Sequence, residues 1–142
     1  MQKKDVAKSN YYNPSLVYKK KQGEFMDYIN FTIALLTLIL GLFGFLAPRY
    51  TAGALDLAIT KTTMGLSELR AGNGGLFVGL GLYCLVSGSS SAFFMLGIAY
   101  AGAGSGRLLS IALDSPPMRK ALTFWAFEWG PAAWLIWYNW PA

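Results

Sequence analysis

The sequence contains no histidine, a single cysteine, and only 12 basic and 7 acidic side chains in 142 residues. The charged share of 13% is about half that of an ordinary soluble domain. Each shortage excludes something. Without histidine there is no Ser/His/Asp or Cys/His nucleophile system, no histidine-ligated haem and no ordinary zinc site. With one cysteine there is no disulfide within the chain, and Cys84, inside an apolar run, reads as a small core residue rather than a redox centre.

Charge is missing from whole stretches. Tyr28 to Pro48 is 21 residues without a charge, enough at about 1.5 Å per residue to cross a hydrocarbon layer of about 30 Å. Ala71 to Gly106 is 36 uncharged residues, a rod of about 54 Å if continuous, so it has to fold back on itself. Its turn-forming cluster is Gly88-Ser89-Ser90-Ser91, and a later break lies at Ser115-Pro116-Pro117, where proline ends one helix and is tolerated in the first turn of the next. The expected fold is therefore all-α: an integral membrane four-helix bundle spanning 28–48, 71–87, 92–113 and 118–138. It forms one transmembrane domain, 28–142, behind a basic extension, 1–27. The basic region is too long for a cleavable signal and no small-residue cleavage site follows the apolar run.

Small residues recur four apart on the second and third expected helices: Gly75 and Gly79, then Gly97/Ala101/Ser105 and Gly102/Gly106. That spacing places them on common strips where backbones approach closely, and predicts a tight antiparallel hairpin between these two helices. Glycine is also common in membrane helices in general.

The extension carries Lys3, Lys4, Lys8, Lys19, Lys20 and Lys21 against Asp5, Glu24 and Asp27, which places the N-terminus, and after four crossings the C-terminus, on the cytoplasmic side. Arg49, Lys61, Arg119 and Lys120 then fall outside, against the rule. Lysines scattered without arginine or a binding motif point to anionic lipid heads rather than nucleic acid. All five tryptophans lie within the last expected helix and its end. Trp134, Trp137, Tyr138 and Trp140 suit an interfacial belt. The deeper Trp125 and Trp129, one turn apart, either continue that packing or face a partner subunit, pigment, quinone or lipid tail.

Arg107 and Glu128 are the charges inside the expected spans, and the antiparallel arrangement puts them at similar depth, a natural ion pair. Topology adds Glu68, Arg70 and Asn73 at the mouth of the second helix, and Asp114 at the end of the third. This polar cluster admits two readings: charges that fix helix packing, or a pocket that binds a polar head group or relays protons. A metal site of Glu68, Asp114 and Glu128 would face two arginines. Gly102-Ala103-Gly104-Ser105-Gly106 lies inside a helix rather than after a strand, so it is not a dinucleotide loop. An acid/base pair without a nucleophile or phosphate loop is a thin active site, and no enzyme is expected.

The run LSELRAGNGGLFVGLGLY, followed by GSGRLLSIALDSPP and a glutamate in the last helix, resembles a family of small bacterial four-helix membrane proteins of uncharacterised function. The likeness covers about Leu66 to Glu128. It rests on Glu68-Leu69-Arg70-Ala71 and on Gly106-Arg107-Leu108-Leu109-Ser110 with Asp114, and implies four helices with a shared polar cluster. The lysine-rich extension and tryptophan-rich end depart from it. The function expected is a non-catalytic accessory subunit of a larger membrane complex, photosynthetic or respiratory, without a cofactor of its own and in contact with lipid, quinone or pigment. The alternative is a small carrier or binding protein for an amphiphile at the Arg107/Glu128 cluster. The expected site is a bacterial inner or intracytoplasmic membrane.

Overall fold

A computed structural model describes residues 14–60 and 62–141, with side chains from Asp27 onward. All regular elements among these residues are helical: α1 (Pro14–Leu46), α2 (Pro48–Ala54), α3 (Met64–Glu68), a π-helical segment (Leu69–Leu76), α4 (Phe77–Ser87), α5 (Ser90–Leu113) and α6 (Met118–Tyr138). Three stretches are long and apolar enough to cross a membrane: Asp27–Leu46, Met64–Ser87 and Ser90–Leu113. α6 falls short of that apolarity, because Glu128 lies mid-helix among tryptophans and a Gly130-Pro131 step that are only weakly apolar.

Helix ends follow local chemistry. α1 begins at Pro14, so the second half of the extension is helical and continuous with the first span. Proline at a first helical position and a lysine- and glutamine-bearing stretch after it both favour this. The turn between α4 and α5 is tight. Gly88 adopts φ +58°, and its N–H donates to the Cys84 carbonyl. Ser89, in extended backbone, then caps α5 by accepting from the Ala92 N–H at 3.3 Å. The link before Pro116 turns through Ser115, another residue at positive φ.

The second span starts at Met64, not at Ala71 as expected. The expected boundary took Glu68 and Arg70 as the end of the apolar run. Instead Arg70 reaches across and donates to the Phe45 carbonyl, one of the orphan acceptors at the C-terminus of α1. A cation capping a helix C-terminus satisfies both groups and lets the second span carry its charge onward.

The interior is built on narrow stripes. On α1 the buried positions are Asn30, Ala34, Thr37, Gly41, Gly44, and then Pro48 of α2, spaced alternately four and three apart. On α6 they are Ala121, Ala132, Leu135 and the following Asn139, with half-buried Trp125 and Glu128 filling the same alternation. This is the spacing of left-handed helix packing, but with small and polar residues inside. The large aliphatic side chains Leu36, Leu40, Leu82, Val86 and Leu109 face outward.

The helices pack as two antiparallel pairs, α1 with the π segment and α4, and α5 with α6. This corrects the expected α4–α5 hairpin and its small-residue strips. A Cβ on Gly79, Gly102 or Gly106 would meet no atom within 4 Å, and one on Gly75 would lie 3.4 Å from the Arg70 carbonyl and 3.9 Å from the Phe45 ring. Ser105 is exposed, and half-buried Ala101 packs on the main core cluster. The close backbone approach is made by other glycines: a Cβ on Gly41 would come within 2.7 Å of the Val78 nitrogen, and one on Gly81 within 2.8 Å of the Leu38 nitrogen. Gly97 is the member of the expected set that does seat a neighbour. It seats Leu135 and Ile136 of α6, not a residue of α4. Spacing four apart identified smooth strips but not which helix lies on them.

Candidate functional site

Where α5 meets α6, Gly97 opposes Leu135, Gly104 opposes the Trp129 indole, and Arg107 meets Glu128. Numbers rise along one helix as they fall along the other, which is what brings the two charges to one depth. The contact is bidentate: Arg107 Nε donates to Glu128 Oε2 at 2.8 Å and Nη2 to Oε1 at 2.5 Å. The Arg107 and Glu128 side chains are 30% and 15% exposed. A forked guanidinium on a carboxylate uses both oxygens at once and fixes rotation as well as separation of the helices. The guanidinium also sits 5.0 Å from the Phe124 ring centroid, over its electron-rich face.

The other members of the expected cluster are elsewhere. Glu68 and Arg70 belong to the span that packs on α1, so the pairing of helices carries them away from Arg107. Asp114, just beyond the last turn of α5, is exposed. Among the described residues, none of these three shares a hydrogen bond or ion pair with Arg107 or Glu128. In their place the first turn of α6 contributes Lys120, whose Nζ donates to Asp56 Oδ2 at 2.5 Å and lies 6.0 Å from the same Phe124 ring. Asp56 stands at φ +57°, in the loop after α2. Among the described residues no cluster of three or more histidine, cysteine or acidic side chains could hold a metal.

Trp125 and Trp129 flank Glu128 in sequence, and both indole nitrogens are buried without a hydrogen-bond partner among the described residues. Trp129 fits against Gly104, where any side chain would overlap its ring. A buried N–H left unpaired costs about 1–3 kcal/mol, so these two donors are unused capacity beside the ion pair.

At the opposite end of the bundle lies a polar assembly that the sequence reading missed. Asn30 Nδ2 donates to Asn139 Oδ1 at 3.0 Å, and Trp134 Nε1 donates to Asn30 Oδ1 at 3.1 Å. Asn139 Nδ2 also donates to the Leu135 carbonyl at 2.9 Å. Deeper along α1, the Thr37 hydroxyl and the Tyr100 hydroxyl are 2.8 Å apart, and Thr37 Oγ1 donates to the Ile33 carbonyl. Asn30 and Thr37 are both fully buried. Their signal was present: Asn30 and Thr37, seven apart, share a face with Ala34, Gly41 and Gly44 that turns inward, whereas Thr32, off that face, is exposed and bonds its own helix at the Tyr28 carbonyl.

A third feature is a cavity of ≈470 Å³ between the loop after α2 and the start of the second span, walled by Leu57, Ile59, Leu66 and Leu69 with Glu68 and Asn73 as its polar groups. Its lining does not include Arg107 or Glu128.

The family described as Domain of unknown function (DUF4345) matches residues 27–139, a range that contains the ion pair, the amide pair and the cavity and leaves most of the lysine-rich extension outside. No curated protein and no solved structure matches the chain.

Proposed function

The chain belongs to the DUF4345 family, whose function is not known, and we propose that it is a non-catalytic accessory subunit of a larger membrane assembly. The observation that carries this reading is the bidentate Arg107–Glu128 pair. The titratable groups best placed for acid/base or ligand chemistry inside the bundle neutralise each other and hold α5 to α6. In this reading α6 is a fourth crossing, since 21 residues make about 31 Å of helix. The lysines of the extension keep the N-terminus on the cytoplasmic side of a bacterial inner or intracytoplasmic membrane.

Docking falls to two surfaces. One is the aromatic side of α6 and the residues after it, where Phe127, Trp137 and Trp140 stand exposed. The other is the extension. Its run Asn10-Tyr11-Tyr12-Asn13 lies outside the described residues, as do the side chains of its lysines. A photosynthetic or respiratory complex suits a small polytopic chain of this kind. A second reading is favoured by the unpartnered Trp125 and Trp129 donors: a carrier for a quinone, lipid or other amphiphile whose acceptor atoms reach them beside Glu128.

Mild detergent extraction followed by native electrophoresis and mass spectrometry separates the two. Co-migration with a stoichiometric large complex, lost when residues 2–22 are deleted, supports the subunit. A free monomer or small homo-oligomer carrying a co-purified ligand supports the carrier and rejects the subunit.

A further inference from the structure

The cavity at the start of the second span lies apart from the Arg107–Glu128 pair, and its construction has a chemical direction. Its volume of ≈470 Å³ falls in the usual range for small-molecule sites, and its walls are mainly aliphatic. Gly65 and Gly72 border it, and a Cβ on either would meet nothing within 4 Å, so open space lies beside the backbone at both.

The π-helical segment explains why two polar groups reach one cavity. Glu68 and Asn73 are five residues apart. In an α-helix, at about 100° per residue, they would point about 140° away from each other. In a π-helix the hydrogen bonds run from i to i+5, so residues five apart lie one above the other. The widened turn over Leu69–Leu76 thus puts a carboxylate and a carboxamide on the same side, and both line the cavity.

Among the described residues that line it, Glu68 is the charged one. Arg70, the basic group nearest Glu68 in sequence, is committed to the Phe45 carbonyl on α1. The ion pairs among the described residues are Arg107–Glu128 and Lys120–Asp56, neither of which involves Glu68. A largely aliphatic cavity whose polar lining, among the described residues, is one carboxylate and one amide, at the end of a bundle with membrane-length spans, complements an amphiphile whose head is a hydrogen-bonding cation. We propose that this cavity binds a lipid with a primary ammonium head, the ammonium on Glu68, a neighbouring head-group oxygen on the Asn73 amide, and acyl carbon against Leu57 and Ile59. This site stands independently of the subunit reading, because none of its residues is assigned to docking.

The test uses the full chain in detergent, offered dioleoyl phosphatidylethanolamine, phosphatidylcholine or phosphatidylglycerol in turn and read by native mass spectrometry. The ethanolamine lipid should give about tenfold more adduct than the choline lipid, which has the same phosphate and chains but no N–H to donate. Glu68→Gln should remove that preference, and Gly72→Phe, which fills the space while leaving Glu68 in place, should lower the adduct itself. Both positions are exposed, and circular dichroism establishes that each variant is folded; if one is not, the other decides. Equal adducts for the three lipids, a folded Glu68→Gln that keeps the ethanolamine preference, or a folded Gly72→Phe that keeps the full adduct, would overturn the site. Displacement of the lipid by free ethanolamine at matching concentration would overturn the lipid assignment in favour of a soluble amine.

Discussion

The two helix pairs solve the same problem in opposite ways. α1 brings its backbone against those of the π segment and α4: Gly41, Gly44, Gly74 and Gly81 leave no room for a side chain at the seam. The polar groups on the buried stripe of α1, Asn30 and Thr37, are neutral and bond across to the other pair, Asn30 to Asn139 and Trp134, and Thr37 to Tyr100. α5 and α6 instead put large groups into notches, Trp129 against Gly104 and Leu135 against Gly97, and close the seam with a charged pair. Where backbones touch, dispersion holds the helices, and the neutral hydrogen bonds tie that pair to the other. The guanidinium and the carboxylate meet at one level of the α5–α6 seam, and one without the other would be a charge at depth.

The largest effect should therefore come from unbalancing the second pair. Arg107→Leu or Glu128→Leu leaves its partner half-buried and alone, at a cost of about 3 kcal/mol. Thermal unfolding in detergent should show a large drop for either variant.

A matched pair of alanines probes the first seam. Gly81→Ala forces a Cβ into the α1 backbone and should destabilise by about 2 kcal/mol. Gly79→Ala, two residues away and facing open space, should be neutral or gain about 0.5 kcal/mol from helix propensity. Equal effects would show that the seam is not where these glycines place it.

The smallest effect belongs to the neutral clamp. Asn30→Ala leaves Asn139 and Trp134 short of a partner and should cost about 1 kcal/mol. Denaturant titration of the purified chain checks it.

How much of this the sequence disclosed depends on the kind of signal. Uncharged runs located three spans and the Gly88 turn, because hydrocarbon thickness and backbone satisfaction leave few alternatives. Antiparallel depth counting brought Arg107 to Glu128, since a short link fixes the relative register of neighbouring helices. Depth says nothing about azimuth, and so Glu68, Arg70 and Asp114 were grouped with a pair they do not touch. The same blindness sent the small-residue strips to the wrong partner. The alternating stripe Asn30, Ala34, Thr37, Gly41, Gly44 on the first span did carry azimuth. It was legible as the few small or polar positions in an apolar helix. The π-helical segment left no such trace, because Leu69–Leu76 reads equally well as an α-helix with too many glycines.

The central claim is that the charged pair holds helices together and does not act on a ligand. The double variant Arg107→Leu/Glu128→Leu tests it most directly, because it removes both charges and leaves apolar side chains in a membrane-length seam. The account predicts recovery of most of the stability lost by either single variant, with co-migration in the native complex unchanged. A double variant that loses the sum of the two single losses, or one that is stable yet no longer assembles, would contradict it.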